Sequence, residues 1–168
     1  DEVISDVILD TQRAGQVIQR LRALLKPGKQ QVEAVDLNQV ITDVDYLLSS
    51  EYVIRHTSIS MELTPDLPPV FAARIQLQQV LLNLITNAFD AIDGINPAQR
   101  HLLIRTNLPK STLVEVCVRD SGTGFKEESY QQLLESFYTT KKSGMGMGLA
   151  ISNTMLRTVG GRLWAENN

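Results

Sequence analysis

Apolar residues recur along the first 26 positions in alternating steps of four and three. Val3, Val7, Asp10, Ala14, Val17, Leu21 and Leu24 form one row, apolar except at Asp10, with Ile4, Ile8, Ile18 and Leu25 beside it. A stripe this wide predicts an amphipathic bundle helix rather than a narrow coiled-coil seam. Pro27 and Gly28 end it, because proline disfavours the α conformation before it and glycine serves as a helix stop. A boundary is expected at 26–30, with 27–30 as linker. On pattern alone the helix can belong to a bundle or pack on the domain that follows, and both readings stay open.

Beyond Gln31 the pattern is mixed. Val32–Val35 predicts a short strand, and Asp36 is placed to cap a helix from Leu37 to about Ser50. Thr57–Leu63 alternates as a strand, with Ile59, Met61 and Leu63 against Ser58, Ser60 and Glu62, and TPDLPP follows as a loop. Arg74–Ile92 predicts a long helix with Ile75, Leu77, Val80, Leu81, Leu84, Ile85, Ala88 and Ile92 as its apolar positions. Leu102–Thr106 and Leu113–Arg119 predict a strand pair, the second with Val114, Val116 and Val118 on one face. A short helix near Glu127–Glu135, a glycine-rich loop, a helix from about Leu149 to Thr158 and a final strand Arg162–Ala165 complete the expectation. Strands alternating with helices, then adjacent strands, predict an α+β sandwich with helices on one face of a mixed sheet.

Composition removes several classes. The 168 residues are 43% hydrophobic and 21% charged, ordinary for a folded chain and unlike a disordered one. A net charge of −3 gives no footprint for nucleic acid. The one cysteine, Cys117, excludes an internal disulfide framework and fits a reducing compartment. No stretch approaches the ~20 apolar residues of a membrane span, and DEVISDVILD lacks signal-peptide order. The chain reads as a cytoplasmic piece of a longer protein.

Three regions carry chemistry. In NLITNAFDA, Asn83, Asn87 and Asp90 fall along one side of a helix, since residues three and four apart are neighbours. A carboxamide offers an oxygen to Mg²⁺ and an amide to phosphate without adding charge. On any single helix, however, such residues more often mark a solvated face. In DSGTGF, Asp120 ends a strand, where its carboxylate can accept from an exocyclic amine, and Gly122 and Gly124 let backbone approach a flat ring. Taken alone this is also common turn chemistry. In SFYTTKKSGMGMGLAIS, Lys141 and Lys142 bring charge, Thr139 and Thr140 bring hydroxyls, and Gly144, Gly146 and Gly148 alternate before a helix start. Such a start, with unpaired N–H groups and a positive dipole end, favours phosphate. The spacing is neither a Walker loop nor GxGxxG.

The ordered set is far more specific than its parts, and it resembles the sensor histidine kinases. NLITNAFDA resembles their N box, DSGTGF their G1 box, SFYTTK their F box and GMGMGL their G2 box. The style is similar to the nitrogen-regulation and oxygen-sensing subgroup, with its GGRLWAEN-like end. The resemblance covers residues 31–166 as an ATP-binding catalytic domain, and residues 1–26 resemble the second helix of a dimerisation bundle. It implies the Bergerat fold, shared with gyrase, a heat-shock chaperone and mismatch-repair ATPases. It further implies that Asn87 ligates Mg²⁺ with Asn83 assisting, that Asp120 holds the adenine amine, and that Gly122 and Gly124 shape its wall beside Asp90 and Ala91. Phe137 to Met147 would be a mobile lid, with Thr140 and Lys141 or Lys142 at the phosphates. Gly144, Gly146 and Gly148 would deliver the phosphates to Leu149. Asn83, Asn87 and Lys141 are the implied catalytic set, and ATP and Mg²⁺ the implied ligands.

The superfamily's ATPases carry a glutamate one turn before the metal-binding asparagine, where it activates water. Asn83 stands there instead, and an amide accepts no proton at neutral pH. That favours phosphotransfer. The partners implied are a phosphoacceptor helix, a response-regulator receiver domain and, for the parent protein, a second copy. The family's acceptor histidine precedes Glu or Asp, whereas His56 precedes Thr and His101 precedes Leu, so the acceptor helix is expected to lie outside the chain. The last glycine-containing strand is likewise expected to be missing, and Val159 stands where relatives often have histidine. Two rival readings are a serine kinase like the anti-sigma kinases, which the 1–26 helix argues against, and a non-catalytic ATP-sensing scaffold module.

Overall fold

Three local signals set the first half of the domain: an acidic cap, a proline-rich loop and a long helical repeat. The computed structural model describes residues 31–125, 132–135, 138–139 and 146–167. The expected bundle helix at 1–26, the linker at 27–30 and most of the short helix near Glu127 lie outside the described residues. The elements are β1 (Glu33–Val35), α1 (Leu37–Ile54), β2 (Ser58–Glu62), β3 (Val70–Ala72), α2 (Arg74–Ile92), a 3₁₀ turn (Pro97–Gln99), β4 (His101–Lys110), β5 (Leu113–Asp120), a second 3₁₀ turn (Gln132–Leu134) and α3 (Gly148–Thr158).

Helix α1 starts at Asp36, whose carboxylate accepts the Asn38 and Gln39 backbone N–H groups at 2.9 and 3.2 Å. It continues to Ile54, past the expected end at Ser50. The extension follows from tertiary packing, because buried Tyr52 meets the Phe89 ring of α2 edge to face at 5.4 Å. Helix α2 has the expected bounds, with one correction: Ile75 is 73% exposed. Two residues before Leu77 is about 200° round the helix, so Ile75 points away from the stripe that begins at Leu77.

The sheet has the order β2-β4-β5, with β2 parallel to β4 and β4 antiparallel to β5. A separate antiparallel pair joins β1 to β3, Glu33 opposite Ala72. Strand β3 was not anticipated; three residues after a proline-rich loop are too few to show alternation. Val40, Ile41 and Val44 of α1 and Leu81, Ile85, Ala88, Phe89 and Ile92 of α2 share one core with Leu102 and Ile104 of β4, and Val114, Val116 and Val118 of β5 pack against it. The result is an α+β sandwich with helices over a mixed sheet.

The final strand expected at Arg162–Ala165 is not formed; residues 161–167 carry no strand. Side chains there do alternate, with Leu163 and Ala165 half-buried between exposed Arg162, Trp164 and Glu166. An extended edge segment satisfies that pattern without a ladder of backbone bonds, so alternation alone could not distinguish the two. No helix among the described residues is long and apolar enough to cross a membrane.

One polar network crosses the core boundary. Thr106, 1% exposed, donates its hydroxyl to Asn38 Oδ1 at 3.1 Å and accepts the Thr64 backbone N–H at 2.8 Å, while Asn38 Nδ2 donates to the Thr64 carbonyl at 2.8 Å. Thr106→Val keeps the shape and strands two polar partners. We expect a loss of about 1–3 kcal/mol, read from urea denaturation; a variant as stable as the parent would show that the network contributes nothing.

Candidate functional site

The first motif lies on α2, where Ala88 and Phe89 turn into the core and the polar residues Asn83, Asn87 and Asp90 follow another side. Asn83 is 7% exposed, Asn87 and Ala91 are half-buried, and Asp90 is exposed. Asn83 and Ala91 are eight residues apart, about 12 Å along the helix axis. Two other elements meet α2 near the ends of that span.

At the Ala91 end sits the loop after β5. The Gly122 N–H donates to Asp120 Oδ1 at 2.8 Å, an Asx turn that aims the carboxylate back over the loop. A Cβ on Gly122 would lie 2.7 Å from Asp120 Oδ1 and 2.8 Å from the Ala91 carbonyl oxygen. The loop therefore rests directly on the last turn of α2, and Ala91, Asp120 and Gly122 are brought together. Gly124 has φ +69°, the left-handed conformation that glycine adopts without strain.

At the Asn83 end sits the start of α3. Asn83 Nδ2 donates to the buried Ser152 Oγ at 2.9 Å, and a Cβ on Gly148 would lie 2.3 Å from Asn83 Oδ1. The residue before α3, Met147, makes no side-chain cap, and the first turn holds no acidic side chain. A helix start of this kind, with its backbone N–H groups and the positive end of the dipole, is chemically suited to an anion. Gly146, at φ +63°, turns the chain into this start, and Leu149 lies half-buried within it. Thr140, Lys141 and Gly144 lie outside the described residues, as do Phe137 and Lys142.

Two side chains that the sequence reading did not single out hold the β5 loop. Ser121 donates its hydroxyl to the Gln99 carbonyl at 2.8 Å and accepts the His101 N–H at 2.9 Å. Asn167 pairs with Phe125 at two points: Oδ1 accepts the Phe125 N–H at 3.0 Å and Nδ2 donates to the Phe125 carbonyl at 2.7 Å. Ser121 stood inside a recognised motif as an unread position. Asn167 stood in the C-terminal segment, 42 residues from its partner, and only its place in the GRLWAEN-like end hinted at use.

Among the described residues no three His, Cys, Asp or Glu side chains gather as a metal cluster. The oxygen donors on this side of α2 are two carboxamides and the Asp90 carboxylate, which suit a hard cation that keeps waters and takes phosphate oxygens.

A family model described as "Histidine kinase-, DNA gyrase B-, and HSP90-like ATPase" matches residues 72–168. The chain is 38% identical to the sensor protein FixL of Bradyrhizobium diazoefficiens over 157 residues, which is 93% of this chain and 30% of that protein. It thus spans under a third of that relative's length. The nucleotide-free catalytic domain of histidine kinase ThkA superimposes with a TM-score of 0.72 at 30% identity, over 82% of this chain and 88% of that one. A likeness of fold alone, TM-score 0.78 at 22% identity, extends to ThkA in complex with response regulator protein TrrA, over 100% of this chain and 47% of that one.

The Gly122 contact is directly testable. Gly122→Ala must push Ala91 and Asp120 apart, whereas Gly94→Ala meets no atom within 4 Å. We expect Gly122→Ala to cost about 1–3 kcal/mol and Gly94→Ala to leave stability unchanged or slightly raised. Equal stabilities of the two variants in chemical denaturation would contradict the contact.

Proposed function

This chain belongs to the histidine kinase-, DNA gyrase B- and HSP90-like ATPase family, and from that premise we propose that it is the ATP-binding catalytic domain of a sensor histidine kinase. In this reading ATP lies along α2 between the two ends of the site. Asp120 accepts the adenine amine, and Gly122 and Gly124 leave the ring a flat backbone wall beside Asp90 and Ala91. The phosphates run toward the start of α3 at Gly146, Gly148 and Leu149, and Thr140, Lys141 and Gly144 would be further phosphate-binding residues. Mg²⁺, held by Asn87, would neutralise phosphate charge.

The observation that carries transfer over hydrolysis is the state of Asn83. Where the family's ATPases place a glutamate that activates water, this chain has a buried amide whose nitrogen donates to Ser152. It offers water no proton acceptor. The γ-phosphoryl is then kept for an imidazole nitrogen, which attacks phosphorus in line as the bond to the β-phosphate oxygen breaks and ADP leaves. Such catalysis rests on positioning and on fixed charge.

The acceptor histidine belongs to a helix outside this chain, and residues 1–26 would be the second helix of that dimerising hairpin. A cytoplasmic response regulator would take the phosphoryl group onward; the fold shared with ThkA in its response-regulator complex supports this partner. The parent protein would be a homodimer.

Incubating the chain with γ-labelled ATP, Mg²⁺ and a separately made histidine-bearing helical hairpin should place acid-labile label on that histidine. Clear ATP binding with an unlabelled hairpin would defeat the kinase reading. Asp120→Asn should lose about 1–3 kcal/mol of preference for ATP over GTP, because an amide oxygen replaces a charged acceptor. Unchanged selectivity in competition binding would remove Asp120 from the adenine.

A further inference from the structure

The Asn83 side chain spans two helices. Its Nδ2 donates to Ser152 Oγ at 2.9 Å, with Ser152 only 2% exposed, and its Oδ1 occupies the space that any side chain on Gly148 would need. Asn83 stands one turn before Asn87 on α2, and Gly148 and Ser152 both lie in the first five residues of α3. The carboxamide therefore acts as a short strut between the helix that offers the metal ligand and the helix whose start faces the phosphates.

We propose that Ser152 is a positioning residue for the triphosphate and its metal, acting through Asn83. The inference rests on the nucleotide reading given above. The residue before α3, Met147, makes no side-chain cap, so what this start offers a phosphate is backbone N–H groups, and their position depends on how α3 sits against α2. A slip of α3 by one residue moves that start about 1.5 Å along its axis, enough to misalign it with Asn87 by the standard of active-site geometry. A bond sealed from water is well suited to prevent the slip, because no solvent molecule competes for either partner. Adenine, held at the Ala91 end, does not depend on this strut.

The test compares two ligands on the whole 168-residue chain by calorimetry: Mg·ATP, and adenosine without metal. Ser152→Ala should weaken Mg·ATP about fivefold to tenfold, the worth of one buried hydrogen bond, and leave adenosine unchanged. Asn83→Ala combined with Ser152→Ala should weaken Mg·ATP by less than the product of the single effects, because the two residues share one bond. If Ser152→Ala loses the fold, Ser152→Cys keeps the volume with a weaker acceptor and should show the same split between ligands. Equal loss for adenosine and Mg·ATP, no loss for either, or strictly multiplicative effects in the cycle would each overturn the strut. A parent chain that binds neither ligand would instead overturn the nucleotide reading, and the strut with it.

Discussion

Phe89, packed edge to face with Tyr52 and with the Arg55 guanidinium over its ring at 5.3 Å, fixes α2 to α1. The residues that could hold a ligand are its immediate neighbours in sequence: Asn87 two positions before it, Asp90 and Ala91 just after. Their placement is therefore as rigid as the core. Arg100 reinforces the same corner, donating to the carbonyls of Arg55, Asp93 and Ile95 and so capping the ends of both helices with one guanidinium. Because Arg100 leads straight into β4, and Ser121 binds back to Gln99 and His101 on either side of it, the β5 loop inherits that rigidity. The last turn of α2 and the β5 loop that leans on it are thus held as one unit.

Much of this was legible in the residues. The 3.6-residue repeat of Leu77, Val80, Leu81, Ile85, Ala88 and Ile92 predicted α2 with its bounds, and Asp36 predicted where α1 begins. What failed were decisions made by tertiary contact. Helix α1 runs past Ser49 and Ser50 because Tyr52 has a ring to meet. Strand β3 exists because β1 offers it a partner. The segment at Arg162–Ala165 keeps a strand's alternation yet carries no ladder.

The same division holds in the site. Motif order pointed to Asp120, Gly122 and the glycines before α3. It could not show that Gly122 touches Ala91, that Asn83 reaches Ser152 69 residues away, or that Asn167 clasps Phe125, since no local period encodes a long-range pair. Gly148 is instructive here. Its sequence context suggested a phosphate loop, whereas its packing shows a second demand: any side chain would displace the Asn83 carboxamide.

Asn83 shows why an amide suits this position better than an acid. A carboxylate there would be buried beside the start of α3, where the helix dipole favours negative charge. In the proposed nucleotide site it would also add a negative charge near the phosphates. It could not donate to Ser152 Oγ either, so the strut would depend on the serine hydroxyl turning to donate instead. The amide removes the charge and supplies the donor. One amide at this position thus both withholds a proton acceptor from water and supplies the donor that ties α2 to α3.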